Sequence, residues 1–179
     1  VIDQAINSIR DSLENIALKN SFGSFADYLE GKEAEYSIEN KEIKVTFTNK
    51  GAKVKSVLLK KYNKILLNKE HKERKLPLYL MEDVKNRFNF SFPLGEKTIS
   101  TENLFFNVDE DDNSIVFKVQ TPEGEDLEFI YSIQDEYQLA LDIRSPYAGK
   151  SIHLEWQNYL DRIEYNTTYE SMYSTVYYK

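Results

Sequence analysis

The chain has 179 residues, of which 41% are hydrophobic and 30% charged, a composition that suits one globular domain with a short appendage and excludes fibrous or membrane-filling classes. Its 23 basic and 30 acidic residues leave a net charge of −7, which argues against nucleic acid and against an anionic membrane surface as partner. Cysteine is absent, so disulfides, thiol catalysis and Cys-ligated metal centres are excluded.

In chain order, Ile2, Ala5, Ile6, Ile9, Leu13, Ile16 and Ala17 recur at helical spacing, which predicts an amphipathic helix over residues 2–18. Its apolar face is expected to dock on the body of the domain or on a neighbouring molecule, since a helix this short is marginal alone. The polar face lacks the basic residues of an interfacial membrane helix. Residues 20–33 read as a connector, with one helical turn around Phe25 to Leu29 ended by Gly31.

From Glu35 the period changes to two. Ile43, Val45 and Phe47 alternate with polar neighbours, Asn49-Lys50-Gly51 supplies a turn, and Val54 to Leu59 forms the return strand. Further strands are predicted near 76–81, 87–92, 103–108, 114–121, 125–134, 137–145, 150–158 and 169–178, with a charged loop at 69–75. Leu127, Phe129, Tyr131 and Ile133 share one face of their strand, as do Leu139, Leu141 and Ile143, and Ile152, Leu154 and Trp156. Many short strands with turn residues between them predict an antiparallel sandwich.

No motif carries a reaction. The acidic run 109–113 reads as a hairpin tip, because the sixth and twelfth positions of a calcium loop would hold Ser114 and Gln120. His71 sits in a charged loop, and His153 is out of phase with the apolar residues of its strand. His153 and Glu155 share a face, which is the weak form of an acid–base pair. Gly95-Glu96-Lys97-Thr98 lacks the glycine spacing of a phosphate loop, and Asn89 and Asn166 head short glycosylation-like tripeptides. The compositional peculiarity is 13 tyrosines, of which Tyr165, Tyr169, Tyr173 and Tyr177 recur every four residues. In an extended segment they fall on one face, either as sheet packing or as an aromatic strip for peptide or sugar.

The segment Phe47-Thr48-Asn49-Lys50-Gly51-Ala52-Lys53-Val54-Lys55-Ser56-Val57-Leu58-Leu59-Lys60-Lys61-Tyr62 resembles the YidC family, the membrane protein insertases of the bacterial inner membrane. The likeness is to the large periplasmic domain of the Gram-negative members. Phe88-Asn89-Phe90, the stretch from Ile99 to Phe106, Leu154-Glu155-Trp156, and the stretch from Thr168 to Tyr173 resemble later parts of that domain in the same order. The resemblance implies a mainly β protein, an antiparallel β-supersandwich similar to galactose mutarotase, carrying an N-terminal helix. It implies a helix and tether over 1–33 and a sandwich over 34–179, with the strand at Tyr177-Tyr178 expected to be cut off within a longer domain of a membrane-anchored parent.

By the same resemblance the domain lies in the periplasm and assists insertion and folding of membrane proteins. Its implied partners are accessory subunits of the Sec translocon and client membrane proteins, with no catalytic residue, cofactor or metal. Self-association of the 179-residue chain through the truncated edge, or else disorder at that end, is expected. The readings from other classes are a carbohydrate-binding or mutarotase-like sandwich protein and a structural spacer.

Overall fold

The computed structural model describes residues 2–67, 70–94, 96–120, 124, 126–145, 151–159 and 162–173. Helix α1 (Ile2–Phe22) leads through a 3-10 turn (Gly23–Leu29) into a body of antiparallel strands. Strands β1 (Glu35–Glu39), β2 (Ile43–Thr48), β3 (Lys53–Leu67) and β4 (Glu73–Leu80) form one sheet in that order. A second sheet runs β10-β9-β8-β7, from β7 (Asn107–Asp111), β8 (Ser114–Gln120), β9 (Asp126–Asp135) and β10 (Gln138–Arg144). The third is β11-β5-β6, with β5 (Arg87–Leu94), β6 (Lys97–Ser100) and β11 (His153–Gln157). Helix α2 (Thr167–Tyr173) follows.

The alternation seen in sequence becomes the core where a second sheet covers it. Ile43, Val45 and Phe47 of β2, Ile115, Phe117 and Val119 of β8, and Leu127, Phe129 and Tyr131 of β9 are all buried. Register places Phe117 opposite Phe129. Across the sandwich, Phe47 meets Tyr131 at 4.8 Å and Phe90 meets Phe129 at 4.6 Å between ring centroids. Such aromatic pairs add about 0.5–1.5 kcal/mol beyond the area they bury. The 3-10 turn contributes Phe25, which is fully buried and edge-on to Phe92 at 5.5 Å.

The turn after β2 is a junction rather than a free hairpin tip. Gly51 has φ +84° and Ala52 φ +51°, and the Gly51 amide donates to the Leu104 carbonyl at 2.8 Å. The buried Asn49 side chain accepts from the Ala34 amide and donates to the Lys32 carbonyl, so the connector is stitched to the turn. The Phe106 amide donates to the Asn49 carbonyl and the Phe105 amide to the Tyr28 carbonyl. These bonds hold Leu104 to Phe106 away from a sheet ladder, so the strand predicted from 103 starts at Asn107.

Further expectations change. Helix α1 runs to Phe22, beyond the predicted end at 18, while β3 continues to Leu67 and β4 begins inside the predicted charged loop, at Glu73. Residues 97–100 form β6 where no strand was predicted. The stretch predicted as a strand over 169–178 is helical from Thr167 to Tyr173, with 174–179 outside the described residues. A spacing of four suits a helix face as well as a strand face, and here the Glu170 amide donates to the Asn166 carbonyl while the Glu170 carboxylate accepts from the Ile163 amide. Finally, the apolar face of α1 does not dock on the sandwich: Ile6, Ile9, Leu13 and Ile16 are 51%, 61%, 62% and 56% exposed.

Candidate functional site

An apolar cleft of about 610 Å³ opens between the three sheets. Its floor is the inner face of β2 and β3, with Ile43, Val45, Val57 and Leu59. One wall is Leu139 and Leu141 of β10, the other Leu154 and Trp156 of β11, and Met81 and Phe88 close one end. Both walls stand at sheet edges. β10 pairs with β9, and β11 with β5, and among the described residues neither has a partner on its other side. Backbone donors and acceptors on two edges thus flank one apolar trough, the arrangement that accepts an added strand.

Trp156 is the most exposed of the wall side chains, at 60%, and Leu154 is 46% exposed. Phe88 supports the indole edge-on at 5.8 Å, and Phe90 supports Phe88 in turn at 5.3 Å. The indole is therefore held in place from below while its upper face is free.

The rim near Tyr137 is polar. Its hydroxyl donates to Glu42 Oε2 at 3.0 Å, and its ring lies 6.1 Å from that of Tyr62. Glu42 is only 1% exposed and also accepts from Lys61, with Lys41 Nζ at 3.8 Å. The Lys61 hydrogen bond holds the Glu42 carboxyl below the usual carboxylate range. Partial burial, then the bond to Glu42, pushes the Tyr137 hydroxyl above its ordinary value. Deeper in the cleft lining, burial pushes the Tyr131 hydroxyl up, and it donates to the Ala52 carbonyl at 2.8 Å.

Among the described residues the cleft lining is mostly aliphatic and aromatic and holds no histidine or carboxylate, and apolar contact is what these side chains offer. His71 lies in an exposed turn at φ +59°, and His153 and Glu155 are exposed on the strand face opposite Leu154 and Trp156. Glu155 instead lies 4.0 Å from Arg87. The acidic run forms the tip of the β7–β8 hairpin, with Asp111 paired to Ser114. Of the tyrosine strip, Tyr165 is 44% exposed on a shallow hollow with Lys64 and Arg162. Tyr169 and Tyr173 fall on the backbone of α2, and Tyr177 lies outside the described residues. Sequence reasoning found the alternating faces that hold Leu139, Leu141, Leu154 and Trp156 but did not single them out as a site. The signal for a site was the lone tryptophan placed on the last of them.

No helix among the described residues is long and apolar enough to cross a membrane. Comparison with known proteins gives one answer. A family model described as the YidC periplasmic domain matches residues 35–177. A membrane protein insertase YidC of Parabacteroides distasonis is 25% identical over 190 residues, covering 100% of this chain and 29% of that protein. The protein of the same name from Phocaeicola vulgatus is 27% identical, covering 84% of this chain and 24% of its own length. That of Amoebophilus asiaticus is 33% identical over 78% of this chain and 22% of its own. The chain thus spans under a third of the length of the curated relatives it matches. No solved structure matches it. The β-rich sandwich, the ordered segments from Phe47 onward and the match over 35–177 converge: the chain belongs to the YidC periplasmic domain family of membrane protein insertases.

Proposed function

We propose that this domain works by contact rather than catalysis, holding an extended apolar segment of a client membrane protein in the cleft between β10 and β11. The segment would add as a strand to one or both open edges, and alternate side chains would fall among Leu139, Leu141, Leu154 and Trp156. The observation that carries this reading is that two edges without a second partner among the described residues flank an apolar trough of about 610 Å³. The names of the relatives support a client of this chemistry. On this reading residues 34–179 are the binding body, 1–33 its tether, and the setting is the periplasmic side of the inner membrane, where contact with Sec translocon subunits belongs to the same proposal. Sugar binding is less well served. The Tyr131 and Tyr137 hydroxyls are committed to Ala52 and Glu42, which leaves Asn158 as the polar side chain facing the cleft among the described residues.

Trp156 is the only tryptophan, so its fluorescence reports on the cleft without labelling. Titration with an extended peptide of alternating apolar residues should shift the emission to the blue, saturably. Leu141→Asp should abolish the shift, and a polar peptide of equal length should give none. An unchanged spectrum would overturn the proposal. So would an emission already blue in the full-length protein without peptide, because the cleft would then be filled by the protein's own further chain.

A further inference from the structure

The apolar face of α1 has a spacing finer than a general amphipathic stripe. Ile2, Ile6, Ile9, Leu13 and Ile16 are separated by four, three, four and three residues, and Asn20 falls at the next place of the same repeat. This strict heptad seam is what pairing with another helix requires; a helix packed on a globular body uses a broader stripe. Every described side chain of α1 from Gln4 to Ser21 is exposed. The helix is tied to the body at its C-terminal end, where Phe22 is buried, Lys19 meets Glu30 at 2.6 Å, and Lys97 donates to the Asn20 carbonyl at 2.8 Å. A 21-residue helix with its aliphatic seam in water is marginal.

We propose that α1 pairs in parallel with α1 of a second copy of this chain, through this seam. Complementarity decides for parallel pairing. Side by side, Asn20 meets Asn20 of the other copy, amide against amide, the device that sets register and strand number in coiled coils. Antiparallel pairing would set Asn20 against Ile2 and bring the two Arg10 side chains, one place beyond Ile9, toward each other. In the parallel register the positions flanking the seam carry Asp3, Ala5, Arg10, Ser12, Ala17 and Lys19; Arg10 faces Ala5 and Ser12 faces Ala17 of the other copy, so no like charges meet. The seam is roughly 30 Å long, and two such helices bury an area near the ~1,000 Å² lower bound of specific interfaces. The dimer is therefore reversible. A lipid surface is the poorer occupant, since the helix carries Arg10 and Lys19 against Asp3, Asp11 and Glu14 and has no basic flank.

Sedimentation of the 179-residue chain at tens of micromolar should give a concentration-dependent dimer. The double substitution Ile9→Asp, Leu13→Asp puts carboxylates in the seam and should weaken it by ~100-fold or more. An unchanged thermal transition of the body shows that folding is intact, as the exposure of both residues requires. Because the chain has no cysteine, single cysteines give orientation directly. Leu13→Cys or Ile16→Cys should each oxidise to a same-site disulfide dimer. A monomer at every concentration, a dimer that survives the double substitution, or faster cross-linking of Ile9→Cys to Leu13→Cys than of like sites would overturn the proposal. So would binding to vesicles of phosphatidylcholine and phosphatidylglycerol that needs the intact seam while the chain in solution stays monomeric.

Discussion

Trp156 stands edge-on to Phe88, with ring centroids 5.8 Å apart and planes at 79°, and is still 60% exposed. The contact orients the indole without hiding it. Trp156→Ala should therefore cost little stability, about 0.5–1.5 kcal/mol by denaturant unfolding, while removing the cleft's response to apolar peptide. Phe129→Ala, by contrast, deletes a ring of zero exposure that packs on both Phe90 and Phe106. It should cost about 3–5 kcal/mol. Equal losses for the two variants would show that Trp156 is part of the core.

Glu42 should give the fold an acid-sensitive contact at the rim. Its folded-state pKa is depressed by the Lys61 hydrogen bond, so it contributes stability that is present above the ordinary carboxylate pKa and is lost as pH falls through the lower, folded value. Urea midpoints measured through this range should fall for the native chain and fall less steeply for Glu42→Gln. Identical slopes would show that Glu42 contributes nothing to the acid side.

Gly31 lies where a side chain has no room. A Cβ there would come within 2.5 Å of Phe105 Cγ and 2.7 Å of its Cβ, the near end of the side chain. Gly31→Ala should destabilise by about 1–3 kcal/mol through overpacking. The double variant Gly31→Ala, Phe105→Ala should show a smaller loss than the two single losses added together, as unfolding midpoints will report.

Thr101 is fully buried, and its hydroxyl lies 3.3 Å from the Gly51 carbonyl and 3.2 Å from Asn89 Oδ1 while accepting from the Phe90 amide. Thr101→Val keeps the shape and removes the hydroxyl. The loss should be about 1–3 kcal/mol, because the Phe90 amide is left without this acceptor in a buried place. Thr101→Ser should retain most of it. Hydrogen exchange at the Phe90 amide should quicken in the valine variant and not in the serine variant.

The strands of the core were legible because their period is intrinsic. Ile43-Val45-Phe47 and Leu127-Phe129-Tyr131 alternate in sequence and are buried in the fold, since one side of a pleated strand must leave water. The turn at Asn49-Lys50-Gly51 was legible from its residue types, and Gly51 does adopt positive φ. Family membership was legible in the same segment, in the order of residues rather than in their chemistry.

The cleft was not legible. Leu154 and Trp156 alternate as cleanly as Leu127 and Phe129, yet they remain exposed and the others do not. Alternation records which side chains share a face, and only the stacking of sheets decides whether anything covers that face. The tyrosines at intervals of four were ambiguous for a related reason: the spacing fits a strand face and a helix face alike, and local hydrogen bonds from Asn166 and Glu170 selected the helix. In α1 the sequence alone determined an amphipathic helix with a heptad seam. That the seam faces solvent rather than the sandwich was decided by tertiary structure: the helix is fastened to the body near Phe22 and Lys97, and Ile6, Ile9, Leu13 and Ile16 stay exposed.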